Sequence, residues 1–152
     1  MEYIEIILKK ISELTKKQMA LIVLVGILIW AVSFFGLNPA KKLAEMRNAQ
    51  RRSDVATIIN GIYQYKIDNN GNLPEAITNE PKEICREKAV SCDGLVDLSF
   101  LKIESKYMDS VPSDPKEKDQ NAAGYQIWKL ANGRISVSAP RAEKNATISL
   151  SK

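Results

Sequence analysis

Nineteen consecutive residues, Met19 to Leu37 (MALIVLVGILIWAVSFFGL), carry no charge, and Ser33 is the one strongly polar side chain among them. A bilayer core of about 30 Å takes about 20 apolar residues as a helix. A helix buried in a soluble core normally keeps a polar stripe, and this run has none. It therefore reads as a transmembrane helix, with Trp30 and Phe34-Phe35 in the half where aromatic side chains meet an interface. A cleaved secretory signal is the competing reading. Signal segments are shorter, about 7–15 apolar residues, and end at a small-x-small site. Here Asn38-Pro39-Ala40-Lys41-Lys42 follows instead, so the helix is expected to stay as an anchor. Met19, Leu24, Gly26, Trp30, Phe34 and Leu37, with Pro39 at the exit, are the candidate residues for lipid contact and helix–helix assembly.

Before the anchor, Tyr3, Ile4, Ile7, Leu8, Ile11 and Leu14 recur at the spacing of one helical face. Glu5–Lys9 and Glu13–Lys17 place an acid four residues ahead of a base, the favourable order. Residues 1–18 thus read as an amphipathic leader, either an interfacial or docking helix or a carrier of topogenic lysines. Lys9, Lys10, Lys16 and Lys17 precede the span, whereas Lys41, Lys42, Arg47, Arg51 and Arg52 follow it. Counted alone, these charges slightly favour keeping the C-terminal side in the cytoplasm.

Composition narrows the chemistry. The 152 residues contain no histidine, which removes His-based acid–base catalysis, His-assisted nucleophiles and most zinc sites. Two cysteines are too few for a zinc finger or an iron–sulfur cluster on one chain. The net charge of +4 is too diffuse to argue for nucleic acid. No phosphate-binding glycine loop, nucleophile elbow or paired-carboxylate signature is present, and the chain is not expected to be an enzyme.

Beyond Pro39 a helix is expected over residues 40–68, about 43 Å long at 1.5 Å per residue. Leu43, Met46, Val55, Ile58, Ile59, Ile62 and Tyr65 keep a broad helical period. The half up to Asp54 is polar and the second half apolar, as in a stalk entering a small head. Asn69-Asn70-Gly71-Asn72 and Pro74 stop it. Residues 73–115 look irregular, with short helical pieces and an apolar cluster of Leu95, Val96, Leu98, Phe100 and Leu101 expected to pack on the helix. Residues 125–130 and 134–138 alternate around Asn132-Gly133, a strong hairpin signal, and Thr147–Leu150 offers a third strand. The expected fold is α+β: a long N-terminal helix, transmembrane half plus stalk, on a small antiparallel sheet. The expected divisions are 1–18 leader, 19–37 transmembrane helix and 38–152 stalk and head.

Cys85 and Cys92 have six residues between them. They are expected to pair if the head lies on an oxidising side of the membrane; a reduced structural pair is the alternative. Their spacing is not the C-x-x-C of a redox motif. Asp109, Asp114, Glu117 and Asp119 are of the type that binds calcium, but Lys116 and Lys118 intervene and EF-hand spacing is absent. A solvated loop is the expected role. Arg47, Arg51 and Arg52, with Lys41 and Lys42, form a basic run diluted by Glu45 and Asp54. A solvated or subunit-packing face is expected there rather than phosphate contact. Asn145-Ala146-Thr147 matches a glycosylation acceptor, a pattern with a high chance rate.

The order of these features carries a resemblance. After the span and Asn38-Pro39 come Arg51-Arg52-Ser53-Asp54-Val55, Ile62-Tyr63-Gln64-Tyr65 and Asp68-Asn69-Asn70-Gly71-Asn72-Leu73-Pro74. Tyr107-Met108-Asp109-Ser110-Val111-Pro112-Ser113-Asp114-Pro115 and Gly124-Tyr125 follow. This resembles the type IV pilin and type II secretion pseudopilin family, most of all its G-type major pseudopilins, over residues 20–140. The resemblance implies a lollipop fold, no catalytic activity, and assembly through bundled N-terminal helices with other pilin-like subunits and a secretion or pilus assembly platform. It also implies a single-pass protein of the cytoplasmic membrane with its N-terminus in the cytoplasm and its head outside, against the charge count. The chain departs from the family at the leader. Lys16-Lys17-Gln18-Met19 lacks the glycine at which a prepilin peptidase cuts, and no acid lies within residues 19–37. A pilin-like head on a permanent anchor, binding a surface partner, a secreted protein or DNA without polymerising, is the alternative.

Overall fold

The computed structural model describes residues 3–6, 15–36 and 38–152, excluding the side chains of residues 35 and 36. By its internal contacts the chain divides into two compact units, Met1–Lys42 and Leu43–Lys152.

In the first unit, residues 3–6 are helical and exposed, and helix α1 runs over Lys16–Gly36. The rest of the leader face, Ile7, Leu8, Ile11 and Leu14, and both expected leader ion pairs lie outside the described residues, as does Leu37. A reciprocal cap starts α1. The Thr15 amide donates to Gln18 Oε1 at 2.9 Å, and the Gln18 amide donates to Thr15 Oγ1 at 3.4 Å. The 21 residues of α1 span about 31 Å. Leu24, Trp30 and Phe34 are 56%, 64% and 66% exposed, so the apolar surface has no cover within its own unit. The helix is long and apolar enough to cross a membrane.

Helix α2 spans Pro39–Asp68. Asn38 caps it, accepting from the Lys41 amide at 3.0 Å, and Pro39 occupies the first helical position, where no amide hydrogen is needed. At the far end the Gly71 amide reaches back to the Lys66 carbonyl at 2.8 Å, closing the helix where the Asn-Gly cluster falls. The buried face of α2 carries Ala44, Asn48, Arg51, Asp54, Val55, Ile58, Ile59 and Ile62.

Four antiparallel strands follow as a meander, β1 (Lys82–Cys85), β2 (Ala122–Lys129), β3 (Ile135–Ser138) and β4 (Ser149–Ser151). The hairpin forms around Asn132-Gly133 as expected, with Ile127 opposite Val137. Strand β4 adds beside β3, with Leu150 opposite Val137. Strand β1 lies in the segment expected to be irregular. Two short 3₁₀ turns occupy Ser99–Ser105, separated by a kink at Ile103 and Glu104.

The core is one cluster between α2 and the sheet. Ile58, Ile59, Ile62, Ile84, Val96, Leu98, Leu101, Tyr125, Ile127 and Val137 are fully buried. Each such aliphatic side chain contributes about 1.5–3 kcal/mol. Val96, Leu98 and Leu101 of the expected apolar cluster lie in it, with Phe100 half-buried against Tyr65 at 4.7 Å between ring centroids. Gly61 lets the chain return close to α2, since a Cβ there would meet Met108 Cε at 3.0 Å and the Tyr107 carbonyl at 3.2 Å. Two expectations on α2 need correcting. Leu43 and Met46 face solvent, 51% and 59% exposed, because the buried stripe at this end of the helix runs through Ala44, Asn48 and Arg51. The polar half is also no free stalk, since its buried contacts with the head begin at Ala44.

Candidate functional site

Arg51, Asp54, Asp114, Gly124 and Tyr125, five of the residues in the motifs that carry the resemblance, meet inside the head. Arg51, from the first half of α2, is fully buried. Its guanidinium clasps Asp114 in two-pronged fashion, Nε to Oδ2 at 2.6 Å and Nη2 to Oδ1 at 3.0 Å. Its remaining nitrogen, Nη1, donates to Asn48 Oδ1 at 2.9 Å and to Glu143 Oε2 at 3.0 Å. Arg47, one turn earlier, takes both oxygens of Glu143, at 2.6 and 2.7 Å. Asn48 completes the junction, donating to the Glu143 carbonyl at 2.8 Å and accepting from its amide at 3.0 Å.

Asp54 extends the polar row along the helix. It accepts from Tyr125 Oη at 2.5 Å and from Gln50 at 2.7 Å. Tyr125 is held next to Asp114 by a backbone bond to the neighbouring residues of β2. The Asp114 amide donates to the Ala123 carbonyl at 2.8 Å, and Gly124 separates Ala123 from Tyr125. Gly124 has φ of +82°, and a Cβ there would stand 2.7 Å from Asp114 Cβ. Only glycine both adopts that backbone and admits the carboxylate.

Electrostatics follow from these contacts. The bond to Asp114 raises the Arg51 pKa against the opposing effect of burial, with help from Glu143. Arg47, then Arg51 and Lys116, holds the Glu143 carboxyl far below the usual carboxylate range. Burial, then the carboxylate of Asp54, drives the Tyr125 phenol up, so it stays a neutral donor. Every charge here has a partner, so the cluster serves as a fastener between α2, the 114–117 turn and the 139–146 segment.

This changes the expected basic face. Arg51 is buried and Arg47 is tied to Glu143, leaving Arg52 as the exposed arginine of the three. Of the carboxylates of the 109–119 loop, Asp109 and Asp119 are exposed, as expected of a solvated loop, whereas Asp114 and Glu117 are drawn into the head. Asp114 is buried on Arg51, and Glu117 bonds Arg141 Nε at 2.6 Å and the amides of Lys118 and Asp119. Asp119 accepts from the Asn121 and Ala122 amides. Among the described residues no group of three His, Cys, Asp or Glu is arranged to hold a metal ion.

Cys85 and Cys92 are joined by a disulfide, with Cα atoms 5.5 Å apart. The chain after Cys92 returns along β1, the Cys85 amide donating to the Val96 carbonyl and the Val96 amide to that of Glu83, both at 2.9 Å. Asn121 Oδ1 accepts from the Val90 and Ser91 amides and holds the loop from outside. Met19, Leu24, Gly26, Trp30 and Phe34 all lie on α1, exposed, with Trp30 and Phe34 stacked at 5.3 Å. Pro39 begins α2. Glu143 and Asn48 were not predicted from the sequence. Asn48 lies one turn before Arg51, a weak signal, but nothing in the sequence points from Glu143 to a helix 95 residues away.

Comparison with known proteins adds no relative: no family model, no curated protein and no solved structure matches the chain.

Proposed function

We propose that the chain is a pilin-like or pseudopilin-like structural subunit, anchored once in the cytoplasmic membrane with its head outside the cytoplasm. It would belong to a type IV pilus or type II secretion type assembly. The observation that carries this reading is α1, a 21-residue helix whose described side chains are almost all exposed and apolar, directly preceding the helix on which the head is built. Such a surface suits lipid, and suits equally well the packed helices of neighbouring subunits once these replace lipid. The satisfied ion cluster in the head supports a structural role, since its groups hold one another. The disulfide supports a head on an oxidising side. The missing leader glycine and the lack of an acid in residues 19–37 favour a second reading, a permanent anchor that does not polymerise.

Leu24→Glu tests the anchor. A charge at mid-span costs about 3 kcal/mol in a membrane helix. The variant should leave the membrane fraction and lose cross-linked oligomers formed by the wild type. Normal fractionation and normal cross-linking would overturn the proposal. A wild type that fractionates with membrane but never cross-links to another subunit would leave the permanent anchor in its place.

A further inference from the structure

Strand β4 is the edge of the sheet, and no strand among the described residues pairs with its outer side. The Ala139 amide bonds the Ile148 carbonyl, and Ile135 and Lys152 exchange amide bonds at 2.9 Å. Residues 148, 150 and 152 thus turn their backbone groups toward β3, and by alternation Ser149 and Ser151 turn theirs outward. Arg134 takes the outward carbonyl of Ser151; among the described residues nothing bonds either backbone group of Ser149 or the Ser151 amide, which are left for another strand.

A groove of about 260 Å³ lies between this edge and α2, lined by Arg52, Val55, Thr147, Ile148, Ser149 and Leu150. Val55 and Ile148 are buried beneath it, while Leu150 is 44% exposed. The volume suits one or two side chains of a bound chain and is smaller than the usual cofactor site. Cations stand at both ends. Arg52 is exposed and forms no ion pair among the described residues, and Lys152 lies against α2, bonding Asn60 at 3.0 Å over the Tyr63 ring.

We propose that this edge binds an extended acidic peptide of a partner protein, added as a fifth strand beside β4. Backbone bonds to Ser149 and Ser151 set its register. An apolar side chain covers Leu150 in the groove, and carboxylates two residues to either side of it, on the same face of the strand, meet Arg52 and Lys152. The charges give selectivity, and a short edge with a cation at its rim discourages indiscriminate pairing with apolar strands. This surface belongs to the head and does not depend on the pilin-like proposal.

The test uses the full chain in neutral-lipid nanodiscs and a fluorescein-labelled Glu-Thr-Val-Thr-Glu peptide, with Lys-Thr-Val-Thr-Lys as its control. The acidic peptide should bind saturably by anisotropy and slow hydrogen exchange at the Ser149 and Ser151 amides. Arg52→Glu, at an exposed position, should weaken it about tenfold, the scale of a lost charge-assisted contact, and improve binding of the lysine peptide. Equal affinity for wild type and Arg52→Glu overturns the proposal, as does binding without protection of those amides. A photo-crosslinker at Ser149 that captures only a second copy of this chain also overturns it, assigning the edge to self-association.

Discussion

Arg51 and Asp114 form an ion pair in which neither side chain touches solvent. Such a pair is not stabilising merely by existing, because desolvation offsets most of the attraction. What the geometry secures is dependence: without Arg51 the Asp114 carboxylate is buried with no cation, and without Asp114 the Arg51 guanidinium keeps only its Nη1 bonds to Glu143 and Asn48. Asp114→Ala should therefore cost about 3–5 kcal/mol. Arg51→Met combined with Asp114→Ala should cost clearly less than the sum of the single changes. Denaturant unfolding of the full chain in detergent, followed by Trp128 fluorescence in a Trp30→Phe background, measures the cycle. Additive costs would mean that the two side chains act independently, contrary to the geometry.

At the scale of elements, what could be read from the sequence was whatever rests on local signals. The first helix announces itself by its uncharged apolar run, the second by Pro39, its apolar period and the Asn-Gly stop, and the hairpin by Asn132-Gly133 between alternating runs. Strand β1 does not. Lys82-Glu83-Ile84-Cys85 is short and half charged, and becomes a strand through pairing with β2 and contact with Val96. The basic run misled for a related reason, since arginine is ordinarily exposed and its burial depends on Asp114 and Glu143, far away in sequence. The two segments differ in their response to pH. Glu143, held down by Arg47, contributes stability fully above its unfolded value of about 4.3 and loses it as pH falls below that. Glu83 on β1 has the opposite sign. Burial, then Glu117, raises its pKa, so its contribution is complete below the unfolded value and declines as pH rises through the folded one. Glu143→Gln should flatten the loss of melting temperature below about pH 4.3, only partly because Asp68, Glu87 and Asp119 are lowered too. Glu83→Gln should raise the melting temperature at pH 7. A pH profile from 3 to 8 for both variants checks the pair of signs, and unchanged profiles would remove these carboxylates from the account.

The whole molecule combines a unit that holds an exposed apolar helix with one that holds a compact core, and the two answer to different forces. Removal of apolar surface from water, into lipid or against other helices, governs α1. The head is governed by its own packing, the Arg51 fastener and the Cys85–Cys92 bond, which closes a loop of eight residues counting both cysteines. In the chain-entropy picture a loop of that length stabilises by about 2–3 kcal/mol. Replacing both cysteines with serine should lower the melting temperature of the head by about 10–15 °C, the shift such a loss produces in a domain of about 100 residues. It should leave membrane association untouched, because nothing in α1 depends on the bond. Flotation of the variant in a density gradient and its melting curve together decide the matter. If the variant leaves the membrane, folding of the head controls anchoring and the two units are not energetically separate. If the melting temperature does not move, the strand contacts around Val96 and the Asn121 clamp hold the loop without the sulfur bond.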